Sequence, residues 1–309
     1  MPLRTLAGAY DPSGRWRRED RERRMRVALG DGAARVVSEG PLTVAWTGSG
    51  ERSTNAALAP PTPAGRAGSP LCVLDGTIYN LEDLALRTGV PPASAEAVLA
   101  AAYQRFGERS LEWLRGDFAL VLWDPATERG MFARDQMGGR SLVWSAAGGA
   151  LLFASEVRSL LRACERRPDP DDVAMAHWLA VSGPPEDRTL YERIHRLEPG
   201  HFARLGGKAW TTHEYWSPRP TATLSGSFTE HAGLLRDALT EAVGRRCAPD
   251  ARTGVMLSGG LDSSSVAALA ARTLEPTQRP ARAYSATFPR HPSADESSLI
   301  QLVTDPLAL

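Results

Sequence analysis

The stretch that decides the fold reads Val255-Met256-Leu257-Ser258-Gly259-Gly260-Leu261-Asp262-Ser263-Ser264-Ser265. An apolar run of strand type at residues 253–257 leads into a polar turn with two adjacent glycines, and a helical pattern continues from Val266. Glycines in such a turn let a ligand approach the backbone closely and permit positive φ angles. The N–H groups that open the helix, together with its dipole, form a site for an anion.

The side chains of residues 258–264, hereafter the Ser-Gly-Gly turn, suit phosphate and metal chemistry. Ser258, Ser263 and Ser264 offer hydroxyl donors, and Asp262 offers a carboxylate of the kind that binds Mg²⁺. These features predict a pyrophosphate cradle with its own metal ligand. An ordinary strand-to-helix turn, in which glycine, serine and aspartate serve as turn and cap residues, is the alternative. A Walker-type P-loop is excluded, because no Gly-Lys-Ser/Thr follows at the required spacing.

The full Ser-Gly-Gly-Leu-Asp-Ser-Ser string resembles the PP-loop of ATP pyrophosphatases, in the variant found in the asparagine synthetase family. This resemblance implies ATP and Mg²⁺ as cofactors, with Asp262 as the metal ligand. The residues implied in nucleotide binding are Ser258, Gly259, Gly260, Leu261, Asp262, Ser263, Ser264 and Ser285. Ser285 is included because the family's adenine-contacting backbone runs through a second predicted strand, at residues 282–288. Asp295-Glu296 resembles a family Asp-Glu pair near the nucleotide, although a helix N-cap is an equally good interpretation.

Composition sets broad limits on the class of protein. A length of 309 residues is enough for about two domains. The 36 basic and 36 acidic residues cancel, so bulk charge gives no reason to expect nucleic acid or a membrane surface as a partner. No apolar run reaches the length of about 18 residues that a membrane span needs. Cys72, Cys164 and Cys247 are odd in number and far apart, which favours a reducing cytoplasm over a disulfide framework or a zinc site.

The N-terminal part reads as short strands joined by turns, with a strong turn signal at Asp11-Pro12-Ser13-Gly14. Residues 15–26 hold seven arginines and three acids, a pattern typical of a solvated hairpin of mixed charge. Docking of an acidic peptide or a phosphate-bearing partner is the alternative for this stretch. Residues 59–70 predict a surface loop rich in proline and glycine. A buried strand is expected at residues 71–74, with Asp75-Gly76 as the turn after it.

The remaining elements follow from capping and periodicity signals. A helix capped by Ser94 is expected at residues 95–106 and stops at Gly107. Residues 118–123, 131–134, 142–144 and 151–154 predict strands of an antiparallel sheet. Ser155 is expected to begin a helix at residues 156–163, and a second helix is expected at residues 171–181. Two short strands within residues 200–216 and a linker at residues 217–227 complete this part. A capping box at Ser227 then opens a long helix, which leads into a βαβ unit around the Ser-Gly-Gly turn.

Four segments in order extend the resemblance to the asparagine synthetase family over most of the chain. They are residues 74–84 (Leu-Asp-Gly-Thr-Ile-Tyr-Asn-Leu-Glu-Asp-Leu), 114–124, 134–142 and 153–160. The implied fold is an α+β N-terminal nucleophile, glutaminase-like antiparallel sandwich followed by the start of an α/β PP-loop domain. The implied domains are residues 1–217 and 228–309.

Departures from the family pattern fall on the glutaminase machinery. The family's nucleophilic Cys follows the initiator Met, but position 2 is Pro2, and Cys72 lies inside a predicted strand. Asp75 stands where the family has its oxyanion-hole Asn, and its negative charge would oppose a developing oxyanion. Thr77 replaces an expected acidic residue, and residues 44–52 hold no evident match for the Arg that clamps the glutamine carboxylate. We therefore expect this domain not to hydrolyse glutamine.

Degenerate glutaminase domains of this kind also occur in β-lactam synthetases and lasso-peptide cyclases. The resemblance implies an ATP-dependent amide-bond ligase, in which a carboxylate activated as an acyl-adenylate is attacked by an amine of a small molecule or a precursor peptide. One alternative is a glutamine-hydrolysing asparagine synthase of asparagine biosynthesis with a miscalled start. Another is a non-catalytic remnant or partner-binding scaffold. Because family members continue well past the position of Leu309, we also expect a fragment, a truncated product, or a split protein whose partner chain supplies the rest.

Overall fold

The computed structural model describes residues 5–30, 34–47, 69–183, 185, 187–207, 209–220, 223–247, 253–277, 280–307 and 309. The chain forms two compact units, Met1–Arg219 and Pro220–Leu309, and each is described by itself. Pro2 and nearly all of the loop predicted at residues 59–70 lie outside the described residues.

The first unit contains eleven named strands and five α-helices among its described residues. The strands are β1 Thr5–Tyr10, β2 Arg35–Glu39, β3 Leu42–Thr47, β4 Leu71–Ile78, β5 Gly116–Asp124, β6 Arg129–Arg134, β7 Val143–Ala147, β8 Ala150–Ala154, β9 His195–Arg196, β10 His201–Gly206 and β11 Ala209–Glu214. The helices are α1 Arg18–Leu29, α2 Leu81–Thr88, α3 Ala95–Phe106, α4 Val157–Ala163 and α5 Asp172–Leu179. Ser94 caps α3 as predicted, its hydroxyl accepting a hydrogen bond from the Ala97 N–H at 3.3 Å.

The strands form two antiparallel sheets rather than the single sheet expected for residues 118–154. One sheet has the order β2-β3-β1-β8-β7-β9, and the other has the order β11-β10-β6-β5-β4. The expected strands are therefore divided, with β5 and β6 in the five-stranded sheet and β7 and β8 in the six-stranded sheet. The prediction of one sheet was wrong because alternation marks each strand but does not show which neighbour it pairs with.

The inner faces of the two sheets share one apolar core. Phe132 of β6 stacks on Phe153 of β8 with ring centroids 4.7 Å apart, and Trp123 of β5 meets Tyr10 of β1 at 5.8 Å. Helices α2 and α3 cover the outer face of the five-stranded sheet, and α1 and α4 cover that of the six-stranded sheet. The layers run helix, sheet, sheet, helix, which confirms the predicted glutaminase-like antiparallel sandwich.

The arginine-rich stretch forms helix α1, so the prediction of a solvated hairpin was wrong. Arg21, Met25 and Ala28 are buried at the helical spacing i, i+4, i+7. The buried Arg21 guanidinium donates to the Thr43 hydroxyl at 3.1 Å and to the Gly40 carbonyl at 2.8 Å. The spacing of these three residues was the helix signal, and the surrounding charges concealed it.

Strand β4 runs through Asp75-Gly76 to Ile78, so the turn predicted at these two residues was also wrong. Asp75 pairs with Ala119, and Gly76 pairs with Phe118 of β5. Gly76 has φ +134°, and a Cβ atom there would collide with the Asp117 carbonyl oxygen. A glycine is required here by backbone contact between strands rather than by chain reversal.

A tight turn after β6 carries the chain from the five-stranded sheet to the six-stranded sheet. Asp135, fully buried in this turn, accepts four backbone N–H groups through its two carboxylate oxygens. The donors are Met137 at 3.1 Å, Gly139 at 2.8 Å, Phe118 at 3.2 Å and Arg140 at 2.9 Å. This carboxylate therefore organises the backbone of the turn from within.

The neighbouring guanidinium of Arg134 holds the same turn from its other side. It donates to the carbonyl oxygens of Arg140 at 2.6 Å, Leu197 at 2.8 Å and Gly138 at 2.9 Å. The Arg134-Asp135 pair thus has a structural role. It supplies hydrogen-bond partners to backbone donors and acceptors of the turn that are not paired within a sheet.

Ser155 links the two sheets rather than beginning a helix as predicted. Its hydroxyl donates to Asp75 Oδ2 at 2.7 Å and accepts from the Leu6 N–H at 3.2 Å. Helix α4 begins two residues later, at Val157, with Glu156 as its N-cap. The buried Asp75 carboxylate of β4 is thereby joined to β1 through one hydroxyl.

The second unit contains α6 Phe228–Gly244, β12 Gly254–Met256, α7 Leu261–Leu274, β13 Arg282–Tyr284 and α8 Ser297–Leu307. Strands β12 and β13 pair in parallel, and the predicted capping box at Ser227 is present. The predicted second strand ends early, so Ser285 lies just beyond β13 rather than within it. A small core that includes Val255, Ala267 and Ile300 holds the helices on one face of the two strands.

No helix in the described residues is both long and apolar enough to cross a membrane.

Replacement of Asp135 by Ala should lower the free energy of unfolding of the first unit by about 3 kcal/mol, because four backbone N–H groups lose their acceptor in a buried turn. Asp124→Ala is the matched control, since within the described part of the chain the half-buried Asp124 accepts only from the Ala126 N–H and the Thr127 hydroxyl in an exposed turn. Its expected cost is about 1 kcal/mol. Urea unfolding followed by tryptophan fluorescence measures both, because all eight tryptophans lie in the first unit. Equal losses of stability in the two variants would contradict the role of Asp135 in organising the turn after β6.

Ser155→Ala should cost about 2 kcal/mol in the same measurement, because it removes a hydroxyl donor from the buried Asp75 carboxylate and an acceptor from Leu6. Ser159→Ala serves as the control. Ser159 is equally buried on α4, and its hydroxyl has no hydrogen-bond partner among the described residues. We expect this control to change the free energy of unfolding by less than about 1 kcal/mol. A Ser155 variant as stable as the control would show that the link between the sheets carries little energy.

Candidate functional site

The Ser-Gly-Gly turn follows the carboxyl end of β12 and opens directly into α7. Leu257, the residue after the last of the strand, donates its N–H to the Tyr284 carbonyl of β13 at 2.9 Å. Helix α7 begins at Leu261 with Gly260 as its N-cap, so it starts within the predicted turn and before the helical pattern that the sequence shows from Val266. In parallel sheets with helical crossovers, ligands bind at this edge, beyond the carboxyl ends of the strands.

The hydroxyl groups of the turn shape its backbone. Ser258 Oγ and Ser263 Oγ lie 2.8 Å apart, and the Ser263 hydroxyl also accepts from the Ser258 N–H at 3.1 Å. Ser264 donates its hydroxyl to the Gly260 carbonyl at 2.8 Å. These three serines were predicted as donors to a ligand, and in the structure their hydroxyl groups bond within the turn.

Neither glycine of the turn has a positive φ angle. The expectation that the two glycines are needed for positive φ was therefore wrong. Gly260 has φ −81° and ψ 157°, an ordinary extended N-cap conformation. At Gly259 a Cβ atom would lie 2.8 Å from Leu299 Cβ and 3.3 Å from Glu296 Cβ. The absence of a side chain at Gly259 therefore allows the beginning of α8 to pack against the turn.

The first turn of α7 presents donors without acceptors. Within the described residues, no carbonyl or side chain accepts a hydrogen bond from the N–H groups of Leu261, Asp262 or Ser263. These are the N–H groups that any α-helix leaves without an intrahelical partner, and the helix dipole adds partial positive charge there. Helix α7 has 14 residues, so its dipole is fully developed. The geometry suits an anion with several oxygens, such as a pyrophosphate.

Asp262 lies in the same first turn with its side chain exposed to solvent. No three His, Cys, Asp or Glu side chains in the described part of the chain lie close enough together to bind a metal ion. A Mg²⁺ ion at this place would take Asp262 as its protein anchor and complete its coordination with phosphate oxygens and water, as Mg²⁺ commonly does. The donor set therefore fits a metal that arrives with a nucleotide.

The sequence left two interpretations of the Asp295-Glu296 pair, a family Asp-Glu pair or a helix N-cap. In the structure the two residues make different contacts. Asp295 accepts from the Phe288 N–H at 2.8 Å and from the Ser297 hydroxyl at 2.8 Å, which organises the start of α8. The first of these bonds, supported by the second, holds the pKa of Asp295 below its ordinary value. Glu296 instead reaches the Ser-Gly-Gly turn, where its Oε2 accepts from the Gly259 N–H at 2.9 Å.

Sequence reasoning missed this contact of Glu296 with the turn, although the resemblance placed the pair near the nucleotide. Ser285, by contrast, is exposed just past β13 and has no hydrogen bond to the turn among the described residues. Its assignment to adenine binding stays a prediction.

The glutaminase-like unit holds Asp75 at the position where the resemblance places an oxyanion donor. Its carboxylate is buried, accepts from the Ser155 hydroxyl, and has Oδ1 3.9 Å from Arg140 Nε. Ser155 and Arg140 both lie in segments that carried the resemblance, but only the tertiary structure shows that they meet Asp75. A carboxylate held in this way offers negative charge, which is the opposite of what an oxyanion needs.

Of the other glutaminase positions, Thr77 and Cys72 lie among the described residues, and neither supplies substitute machinery. Thr77 is exposed on β4. Cys72 is buried in the core on the outer face of the five-stranded sheet. Burial, with a smaller contribution from the Glu96 charge, raises the pKa of the Cys72 thiol well above its ordinary value. Because the thiolate is the nucleophilic form, Cys72 is unsuited to replace the missing nucleophile.

Comparison with known protein families covers both units. Residues 59–216 match the family described as "Glutamine amidotransferase domain", and residues 234–309 match the family described as "Asparagine synthase". The first match alone spans more than half of the chain.

Curated relatives include proteins named as glutamine-hydrolyzing asparagine synthetases and a protein named as an amidase. A putative glutamine-hydrolyzing asparagine synthetase of Mycobacterium tuberculosis is 34% identical over 214 residues, which is 65% of this chain and 33% of that protein. Glutamine-hydrolyzing asparagine synthetase 3 of Bacillus subtilis is 26% identical over 239 residues, covering 74% of this chain and 38% of that protein. Amidase chry2 of Gibberella zeae is 29% identical over 254 residues, covering 75% and 37%.

The chain spans about a third of the length of these relatives. Among solved structures, the glutamine phosphoribosylpyrophosphate amidotransferase from B. subtilis, complexed with ADP and GMP, aligns with a TM-score of 0.47 at 15% identity. That alignment covers 91% of this chain and 65% of the other.

The two family matches together cover sequence of both units. The chain belongs to the asparagine synthetase family, with a glutamine amidotransferase-type domain followed by asparagine synthase-type sequence from residue 234.

Proposed function

We propose that this chain is part of an ATP-dependent amide-bond ligase that does not use glutamine. The observation that carries the proposal is the start of α7, which follows a parallel strand. There, three N–H groups have no acceptor in the described part of the chain, and Asp262 is exposed. The Ser-Gly-Gly turn would hold the pyrophosphate portion of ATP through these N–H groups. Mg²⁺ anchored by Asp262 would supply positive charge against the phosphates.

The proposed reaction has two steps. A substrate carboxylate attacks the α-phosphorus of ATP to form an acyl-adenylate, and the bond to the β-phosphate breaks to release pyrophosphate. An amine then attacks the acyl carbon, AMP leaves, and an amide forms with loss of one proton from the nitrogen. The turn stabilises the leaving pyrophosphate, because its N–H groups are already oriented towards the charge that develops there. Ser285 would lie near the adenine through the backbone that follows β13.

The independence from glutamine is inferred from the first unit. The curated relatives from M. tuberculosis and B. subtilis are named as glutamine-hydrolyzing. Here the buried Asp75 carboxylate stands where the resemblance places the oxyanion-hole Asn, and Cys72 is a core thiol whose pKa is raised by burial. The amine would then come from the substrate, either a small molecule or a precursor peptide. The three cysteines form no disulfide, which is compatible with the reducing cytoplasm expected for such an enzyme.

A partner segment is part of the proposal, and the second unit provides its surface. Met256 and Tyr284 are register partners on β12 and β13, and they are 75% and 53% exposed on the face opposite the core. Strands of parallel sheets are ordinarily covered on both faces. We propose that further asparagine synthase-type sequence, on this or another polypeptide, covers this face and completes the reaction site.

The first test is for glutamine hydrolysis. Incubation of the chain with glutamine should release no glutamate above the background, because the oxyanion position is occupied by a negative charge. The measurement is a coupled glutamate dehydrogenase assay, with a glutamine-hydrolyzing relative as the positive control. Glutamate release that a thiol-alkylating reagent abolishes would overturn the proposed independence from glutamine.

The second test is ATP binding at the Ser-Gly-Gly turn. Asp262→Ala should weaken binding of Mg²⁺-ATP by at least about tenfold, because a metal anchor and its charge are lost. Isothermal titration calorimetry measures the affinity, and circular dichroism checks that the fold is kept. Asp305→Ala, which removes an exposed carboxylate near the end of α8, should leave binding unchanged. Equal affinity in wild type and Asp262→Ala would mean that Asp262 is not the metal anchor, and no binding in any variant would favour a non-catalytic scaffold.

A further inference from the structure

One N–H group of the Ser-Gly-Gly turn already has an anionic acceptor from this chain. The Gly259 N–H donates to Glu296 Oε2 at 2.9 Å, across 37 residues of sequence. The same N–H lies two residues before the three N–H groups at the start of α7 that have no acceptor among the described residues. A carboxylate thus holds one of the donors that a pyrophosphate on this turn would use.

The backbone at Glu296 is fixed, but its side chain can move. Asp295 is held by the Phe288 N–H and the Ser297 hydroxyl, and the Glu296 carbonyl accepts from the buried Ile300 at 3.0 Å. Leu299 also packs closely against Gly259. The Glu296 residue itself is exposed, so its carboxylate can rotate into water while α8 stays in place.

We propose that Glu296 is a competing carboxylate, which occupies the Gly259 N–H in the absence of nucleotide and is displaced by the pyrophosphate group of ATP. This inference rests on the proposed function of the turn. Two anionic oxygens cannot share one N–H without strong repulsion at a few ångströms. Glu296 therefore weakens binding of free polyphosphate, and it does so less when Mg²⁺ neutralises part of the phosphate charge. By this competition, Glu296 favours binding of the metal-bound nucleotide over binding of free phosphates.

A purely structural role makes a different prediction for a charge-neutral variant. In Glu296→Gln the side-chain carbonyl can still accept from the Gly259 N–H, so a contact that only fastens α8 to the turn would be kept. Competition with phosphate depends on the negative charge, which this variant removes. Glu275→Gln is the matched control, because Glu275 is exposed at the other end of α7, about 20 Å along the helix.

The experiment measures binding of inorganic pyrophosphate and of ATP, each with and without Mg²⁺, by isothermal titration calorimetry on the full chain. We expect Glu296→Gln to bind Mg²⁺-free pyrophosphate on the order of tenfold more tightly than wild type, with a smaller gain when Mg²⁺ is present. Glu275→Gln should match wild type. In parallel, the Gly259 amide resonance of wild type should move when pyrophosphate is added, as its acceptor changes.

Each outcome decides between the two proposals. Equal pyrophosphate affinity in wild type, Glu296→Gln and Glu275→Gln overturns the competing role of Glu296 and leaves the proposed function standing. A gain of the same size in both variants also overturns it, because the effect is then one of net charge. Failure of all three proteins to bind either ligand overturns the proposed function of the turn, and the inference with it.

Discussion

The Asp135 carboxylate makes the contact on which the architecture of the first unit depends. By accepting four backbone N–H groups, it defines the turn where the chain leaves the five-stranded sheet and enters the six-stranded one. One buried anion can do this because several oriented N–H donors replace the water it has lost. Arg134 fastens the same turn through three carbonyl oxygens. With this crossing defined, the inner faces of both sheets meet and form a common core.

The same sandwich accommodates a charge that is poorly suited to glutamine chemistry. Asp75 lies at the meeting of β4 with β1, where its carboxylate is stabilised by the Ser155 hydroxyl and lies near Arg140. In this arrangement a buried polar group contributes to the link between sheets, and it requires its partners to remain in place. A site that must stabilise a transient oxyanion needs donors oriented inwards instead. The structure therefore favours a structural use of this position over a catalytic one.

The second unit separates the groups that shape its turn from the groups that remain available. Hydroxyls of Ser258, Ser263 and Ser264 are used within the turn. The N–H groups at the beginning of α7 keep no acceptor among the described residues, and Gly259 has Glu296 as its acceptor. Any affinity of this turn for phosphate would come from the backbone N–H groups and the helix dipole, while the serine hydroxyls hold the conformation of the turn.

By itself, the sequence determined many of the strands and helices, although not α1 or the full course of β4, and it determined the family they belong to. Local signals were sufficient for this, such as the Ser94 cap, the Ser227 capping box and the strand-turn-helix around Gly259-Gly260. It also marked Asp75 as out of place for a glutaminase. Tertiary structure alone decided that Asp75 meets Ser155 eighty residues away, that β6 and β7 lie in different sheets, and that Glu296 reaches Gly259. The physical reason is that capping and periodicity act over a few residues, whereas partners across a core are chosen by the packing of whole faces.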